Sequence, residues 1–196
     1  MAGVLIGLKD LWFAPEKAGA ESGYDAPFKI AKAIEAKVTP NTSSAILNAD
    51  DGAAESASSE GETEIELGID VLANDIYAKL LGKQVVGGGV IDTTGDIAPN
   101  GALMFRSLKS NGKYRYVVYY KGSFQPPEEE YKTKGESIEY NTPTIKGTFV
   151  HSDKVLDAKG NGVKRFIVDE DDTGVDQTVI AKWFTEVQLP KATPEP

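Results

Sequence analysis

The chain has 196 residues, 40% hydrophobic, 26% charged and 9% aromatic, enough apolar content to bury the core of one large soluble domain. It has no cysteine and one histidine, His151, which excludes disulfides, thiolate nucleophiles, Cys-containing zinc sites and multi-His metal clusters. A formal charge of −9 argues against sequence-independent binding to DNA or RNA, which needs clustered Lys and Arg.

The opening Met1-Ala2-Gly3-Val4-Leu5-Ile6-Gly7-Leu8-Lys9-Asp10 lacks a basic stretch, and its apolar run breaks at Lys9, so it does not read as a secretory signal. No run approaches the ~20 apolar residues of a membrane span. The expected compartment is aqueous and cytoplasmic. Val4 to Phe13 reads as a first strand. Phe28, Ile30, Ile34, Ala36 and Val38 share one parity of a second, with Lys32 as the exception on that side. Thr39-Pro40-Asn41-Thr42 interrupts the pattern, and Ser43 to Asn48 resumes it.

Residues 48–61, small, polar and acidic, contain no large apolar side chain and read as a long loop. Glu62-Thr63-Glu64-Ile65-Glu66-Leu67 then alternates, with three carboxylates on one face. Ile69, Leu72, Ile76 and Leu80 recur at helical spacing, and Gly82 stands where a left-handed residue should end that helix.

Gly87-Gly88-Gly89 and Asp92 to Asp96 read as connecting loop. Ala102 to Tyr120 reads as a hairpin turning at Asn111-Gly112, with both turn residues at positive φ. Tyr114, Tyr116, Val118, Tyr120 and Phe124 share one face of its second strand. After an acidic loop around Glu128-Glu129-Glu130, strands are expected over Ile138 to Val150 and Val163 to Val168. A helix is expected from Gln177 to Glu186, capped by Asp176, then an unstructured tail over 190–196.

No catalytic, cofactor or metal site emerges. The Gly87 run lacks a glycine at Asp92, where a dinucleotide loop needs one. Asp169-Glu170-Asp171-Asp172-Thr173-Gly174 starts like a calcium loop, but Ile180 occupies the position of the bidentate Glu, so a solvated acidic turn is the better account. Three adjacent glutamates after Pro126-Pro127 do not offer two carboxyls in different environments. His151 has no Ser or Cys partner in its own segment.

The chain resembles the major tail proteins, or tail-tube subunits, of long-tailed phages and prophages of Gram-positive bacteria. The matching segments are Gly7-Leu8-Lys9-Asp10-Leu11, Val38-Thr39-Pro40-Asn41-Thr42 and Ala49-Asp50-Asp51-Gly52. Further along come Phe105-Arg106-Ser107-Leu108-Lys109-Ser110-Asn111-Gly112-Lys113-Tyr114-Arg115-Tyr116 and Pro127-Glu128-Glu129-Glu130-Tyr131. The last are Thr142-Pro143-Thr144-Ile145-Lys146-Gly147-Thr148-Phe149 and Val168-Asp169-Glu170-Asp171-Asp172 with Trp183-Phe184. They run in order along nearly the whole chain.

The resemblance implies a mainly β protein, a β-sandwich or barrel-like tail-tube fold with a flanking α-helix, a long inter-strand loop and terminal arms. It implies one domain over 1–189, with an arm at 1–10 and the loop at 48–61. Six copies would form a ring, and stacked rings would conduct DNA in the virion tail after assembly in the host cytoplasm. The implied partners are further copies of the chain, tape-measure, tail-terminator and distal tail or baseplate proteins, and DNA that passes without specific binding. Asp50, Asp51, Gly52, Glu55 and Glu60 are the candidates for ring stacking.

Glu62, Glu64 and Glu66 are the candidates for the lumen wall, the alternative being an ordinary solvent-facing strand. Six copies of a −9 chain sum to −54, a charge opposing adhesion of a polyanion within about 8 Å of the wall. A different class of function remains open, a monomeric β-sandwich module binding carbohydrate through the tyrosine-rich hairpin.

Overall fold

Alternation of apolar and polar side chains drives nearly half of this chain into antiparallel sheet. The computed structural model describes residues 3–19, 23–49, 52–133 and 141–190, and for 45–49 and 52–58 the backbone alone. The strands are β1 (Leu5–Pro15), β2 (Phe28–Ala31), β3 (Ala33–Ala49), β4 (Gly52–Ile69), β5 (Gln84–Val86), β6 (Gly89–Ile91), β7 (Gly101–Lys109), β8 (Tyr114–Phe124), β9 (Thr144–Val150) and β10 (Arg165–Asp169). The helices are α1 (Asn74–Leu81) and α2 (Gln177–Ala181). The protein is mainly β with two helices, a β-sandwich-like architecture.

The main sheet runs β2-β1-β7-β8-β9-β4-β3, with β10 also on β8. Its two end strands, β2 and β3, follow each other in the chain with only Lys32 between them. The sheet therefore winds round until its ends meet. Asp70, at the end of β4, fixes the seam: its carboxylate accepts from the Lys32 N–H at 3.0 Å, and its own N–H donates to the Lys32 carbonyl at 3.2 Å. Along β8, β10 pairs Arg115 to Tyr119 and β9 pairs Lys121 to Phe124, so the two strands share one edge in line.

Two cores result, one on each face of the central strands. The inner core gathers Leu11, Phe13, Ile65, Leu67, Leu103, Tyr119, Phe124 and Phe149, with Leu80 and Leu81 of α1 closing one end. The outer core packs Met104, Tyr116, Val118 and Tyr120 under Val155, Val168 and Trp183 of the C-terminal segment. Thr63, Ile65 and Leu67 are buried as the alternation required. Gly82 ends α1 at φ 66°, ψ 28°, and a Cβ there would lie 2.0 Å from the Ile97 carbonyl oxygen, so no other residue fits.

Several expectations are corrected. The expected loop at 48–61 is overturned where it is described: Asn48 and Ala49 end β3 and Gly52 to Gly61 belong to β4, paired back onto β3 from Ala49↔Gly52 through Thr42↔Glu60. Ladder hydrogen bonds join backbone groups, so small polar residues can form them as well as large apolar ones. Leu5–Asp10 of the expected N-terminal arm lies in β1, paired with β7, while Met1 and Ala2 lie outside the described residues.

The turn at Asn111-Gly112 is not of the doubly positive kind, because only Gly112 has positive φ. Asn111 instead directs its side chain to the Lys113 N–H and to Asp171. Ile34 is exposed because the β3–β4 register shifts between Ala33 and Glu35.

A further shift between Gly101 and Leu103 divides the expected tyrosine stripe. Phe124 falls in the inner core, while Tyr116, Val118 and Tyr120 face the outer one. Gly87 and Gly88, both at positive φ, form the two-residue turn of a small β5–β6 hairpin, and Gly89 opens β6. Helix α1 starts at Asn74, so Ile69 ends β4 instead of opening the helix. Helix α2 stops at Ala181, and residues 138–140 and the tail 191–196 lie outside the described residues.

Candidate assembly surfaces

The most distinctive surface is the distal half of β3–β4. Strand β9 pairs with β4 only from Thr63 to Gly68, and β3 ends the sheet order. Beyond Thr63 the two strands continue alone as a ribbon about 25 Å long at ordinary strand rise. Ser43 Oγ and Ser59 Oγ meet across it at 2.8 Å. Its sequence carries a signal that composition hides: Ser43-Ser44-Ala45 pairs residue for residue with the mirrored Ala57-Ser58-Ser59.

Of the stacking candidates, Gly52 pairs with Ala49 and Glu55 with Leu47 in the distal half. Asp50 and Asp51 lie outside the described residues. Glu60 sits at the base and is engaged within the chain: Lys164 Nζ donates to its Oε1 at 2.5 Å and to the Gly61 carbonyl at 3.1 Å. That hydrogen bond and the Lys164 charge hold the Glu60 carboxyl below the usual carboxylate range. Sequence offered no signal for Lys164, which lies 104 positions away.

Glu62, Glu64 and Glu66 do share an outward face. It is not purely acidic, because Glu66 lies opposite Lys37 on β3 and Lys146 on β9, at 3.6 and 3.0 Å. The Lys146 hydrogen bond, then both lysine charges, lower the Glu66 pKa. Glu62 accepts from Asn41 Nδ2 at 3.3 Å. The fold brings a second acidic segment beside this stripe: Glu64, Asp70 and Glu128 to Glu130 line one open groove of about 1060 Å³, with Lys146 among them.

The acidic run that ends β10 is a turn with Asp171 to Gly174 exposed, as expected, but its first carboxylates are paired within the chain. Arg115 donates to both Asp169 oxygens at 2.6 and 2.7 Å, and Lys109 donates to Asp169 at 3.2 Å and also to Asp171. Lys113 donates to Glu170 at 3.1 Å. These carboxylates hold the β7–β8 hairpin in place. Among the described residues no group of three or more His, Asp or Glu side chains could hold a metal ion. His151 is exposed at the end of β9.

Tyr116, Tyr119 and Tyr120 are buried, and Tyr114 lies under the Arg106 guanidinium, 4.3 Å from its ring centre, so the hairpin presents no open aromatic platform. No helix among the described residues is long and apolar enough to cross a membrane. No model of a known protein family matches the chain, and no curated protein matches it.

Proposed function

We propose that the chain is a structural subunit of a phage tail tube, six copies closing into a ring and rings stacking into a conduit for DNA. The observation that carries this reading is the projecting β3–β4 ribbon. A two-stranded ribbon is marginal alone in water, and ordering its residues costs roughly 1–2 kcal/mol each for the backbone. A neighbouring subunit would supply the missing surface, and a ribbon with a free edge on either side is suited to receive it.

The acidic outward face supports the same reading, because a wall that repels phosphates lets DNA slide. In this reading the ribbon stacks rings through Gly52, Glu55 and the adjoining aspartates, and Glu62 and Glu64 face the lumen. Tape-measure, tail-terminator and distal tail or baseplate proteins would be the other partners, in the virion tail. The carbohydrate-binding alternative is disfavoured because Tyr116, Tyr119 and Tyr120 are buried and Tyr114 is partly buried beneath Arg106.

Concentrated pure protein, examined by sedimentation and electron microscopy, should form hexameric rings or tubes, alone or on purified tail-initiator complexes. Strictly monomeric behaviour under both conditions overturns the proposal.

A further inference from the structure

We infer that Lys164 is a positioning residue that fixes the direction in which the β3–β4 ribbon leaves the body. Its consequence for ring stacking rests on the tail-tube reading, but the clamp itself does not.

The backbone of Lys164 is anchored in the central sheet. Its carbonyl accepts from the Tyr120 N–H at 3.0 Å, the preceding Val163 carbonyl accepts from Ser152, and β10 begins at the next residue. Its side chain is only 5% exposed, so the stem is packed and the ammonium has little freedom to wander. That ammonium ends on the ribbon base, donating to Glu60 Oε1 and to the Gly61 carbonyl.

The base is where β4 most needs holding. The β3–β4 register shifts between Pro40 and Thr42, leaving one extra residue on β4 at Gly61–Glu62. A bulge bends a strand and breaks its ladder locally, and a glycine there adds no side chain to stiffen it. At the same level the ladder to β9 ends at Thr63↔Phe149. Strand β10 continues the line of β9 along β8 but has no ladder to β4. The ribbon thus diverges from the body at a bulge, and Lys164 bridges the divergence. Arg165 adds positive charge near Glu60 and favours the same contact.

The chain has no cysteine, so spin labels can be placed uniquely with Ser44→Cys on the ribbon and Lys159→Cys on the body. In this background the label-to-label distance distribution should be narrow. Glu60→Gln, which leaves Lys164 in place, and Lys164→Met should each widen and shift it, with circular dichroism unchanged. The reversal Glu60→Lys with Lys164→Glu should narrow it again, the longer side chain now reaching from the ribbon. The single variants should also slow ring stacking, and the reversal should restore it.

A Glu60→Gln distribution identical to the parent overturns the clamp, whatever becomes of Lys164→Met. A chain that never assembles overturns the tail-tube reading, while the label distances still decide the clamp.

Discussion

Lys109 is 1% exposed, yet its ammonium reaches two carboxylates, and one of these also takes a two-pronged bond from Arg115. A buried charge left without its counter-charge is strongly destabilising. Asp169→Asn should therefore cost about 3 kcal/mol in urea unfolding, since it weakens both Arg115 and Lys109 at once. The same site sets an acid limit. The Arg115 hydrogen bonds, and after them Lys109, hold the Asp169 carboxyl below its ordinary range against the opposing effect of burial. Asp171 is lowered as well, first by Lys109. A carboxyl with a depressed folded-state pKa contributes stability above its unfolded value of about 3.9 and loses it as pH falls through the folded value. Stability should thus fall steeply below about pH 4 in the parent and less steeply in Asp169→Asn. Parallel slopes in urea titrations from pH 6 down to pH 2 would refute this.

At the scale of elements, the tail-tube proposal predicts that the ribbon can be altered without unfolding the body. Among the described side chains, no core residue lies between Val38 and Thr63. Replacing Ser43 to Ser59 by a two-residue Asn-Gly turn keeps the Thr42↔Glu60 pair, and with it Glu60 beside Lys164, and removes only the projecting part. The thermal midpoint should stay within a few degrees of the parent, while tube growth stops, because loss of a surface hairpin without core contacts costs about 1 kcal/mol or less. Tubes of normal length from that variant would show the ribbon to be dispensable.

At the scale of the whole molecule, the net charge is −9, and Glu64 of the acidic stripe lines one groove with Glu128 to Glu130. Glu66 is the wrong residue to reverse. A lysine there would sit directly between Lys37 and Lys146, and like charges opposite one another destabilise a sheet. Glu62→Lys with Glu64→Lys leaves Thr63, Ile65 and Leu67 untouched, so tubes should still assemble. If that face lines the channel, DNA should adhere to the wall in a salt-dependent way and ejection should slow. Well-assembled particles that eject DNA at the parental rate would place the stripe elsewhere.

Short-range patterns were legible in the sequence. Thr63, Ile65 and Leu67 had to face inward because strand side chains alternate with period two, and Gly82 had to end a helix because only glycine takes that backbone angle without strain. The ribbon was half legible: its mirrored Ser-Ser-Ala halves were in view, but a composition poor in apolar residues argued for a loop. Tertiary structure decided what depends on partners far along the chain. Bulges beside Lys9, Ile34 and Gly61 reset which side chains face which core, and a shift of one residue moves a side chain to the opposite face. Lys32 became a seam, Asp169 an anchor for Lys109 and Arg115, and Lys164 a clamp on Glu60 only once the sheet had wound round and brought them together. No local pattern encodes a contact between residues 104 positions apart; the closure of the sheet does.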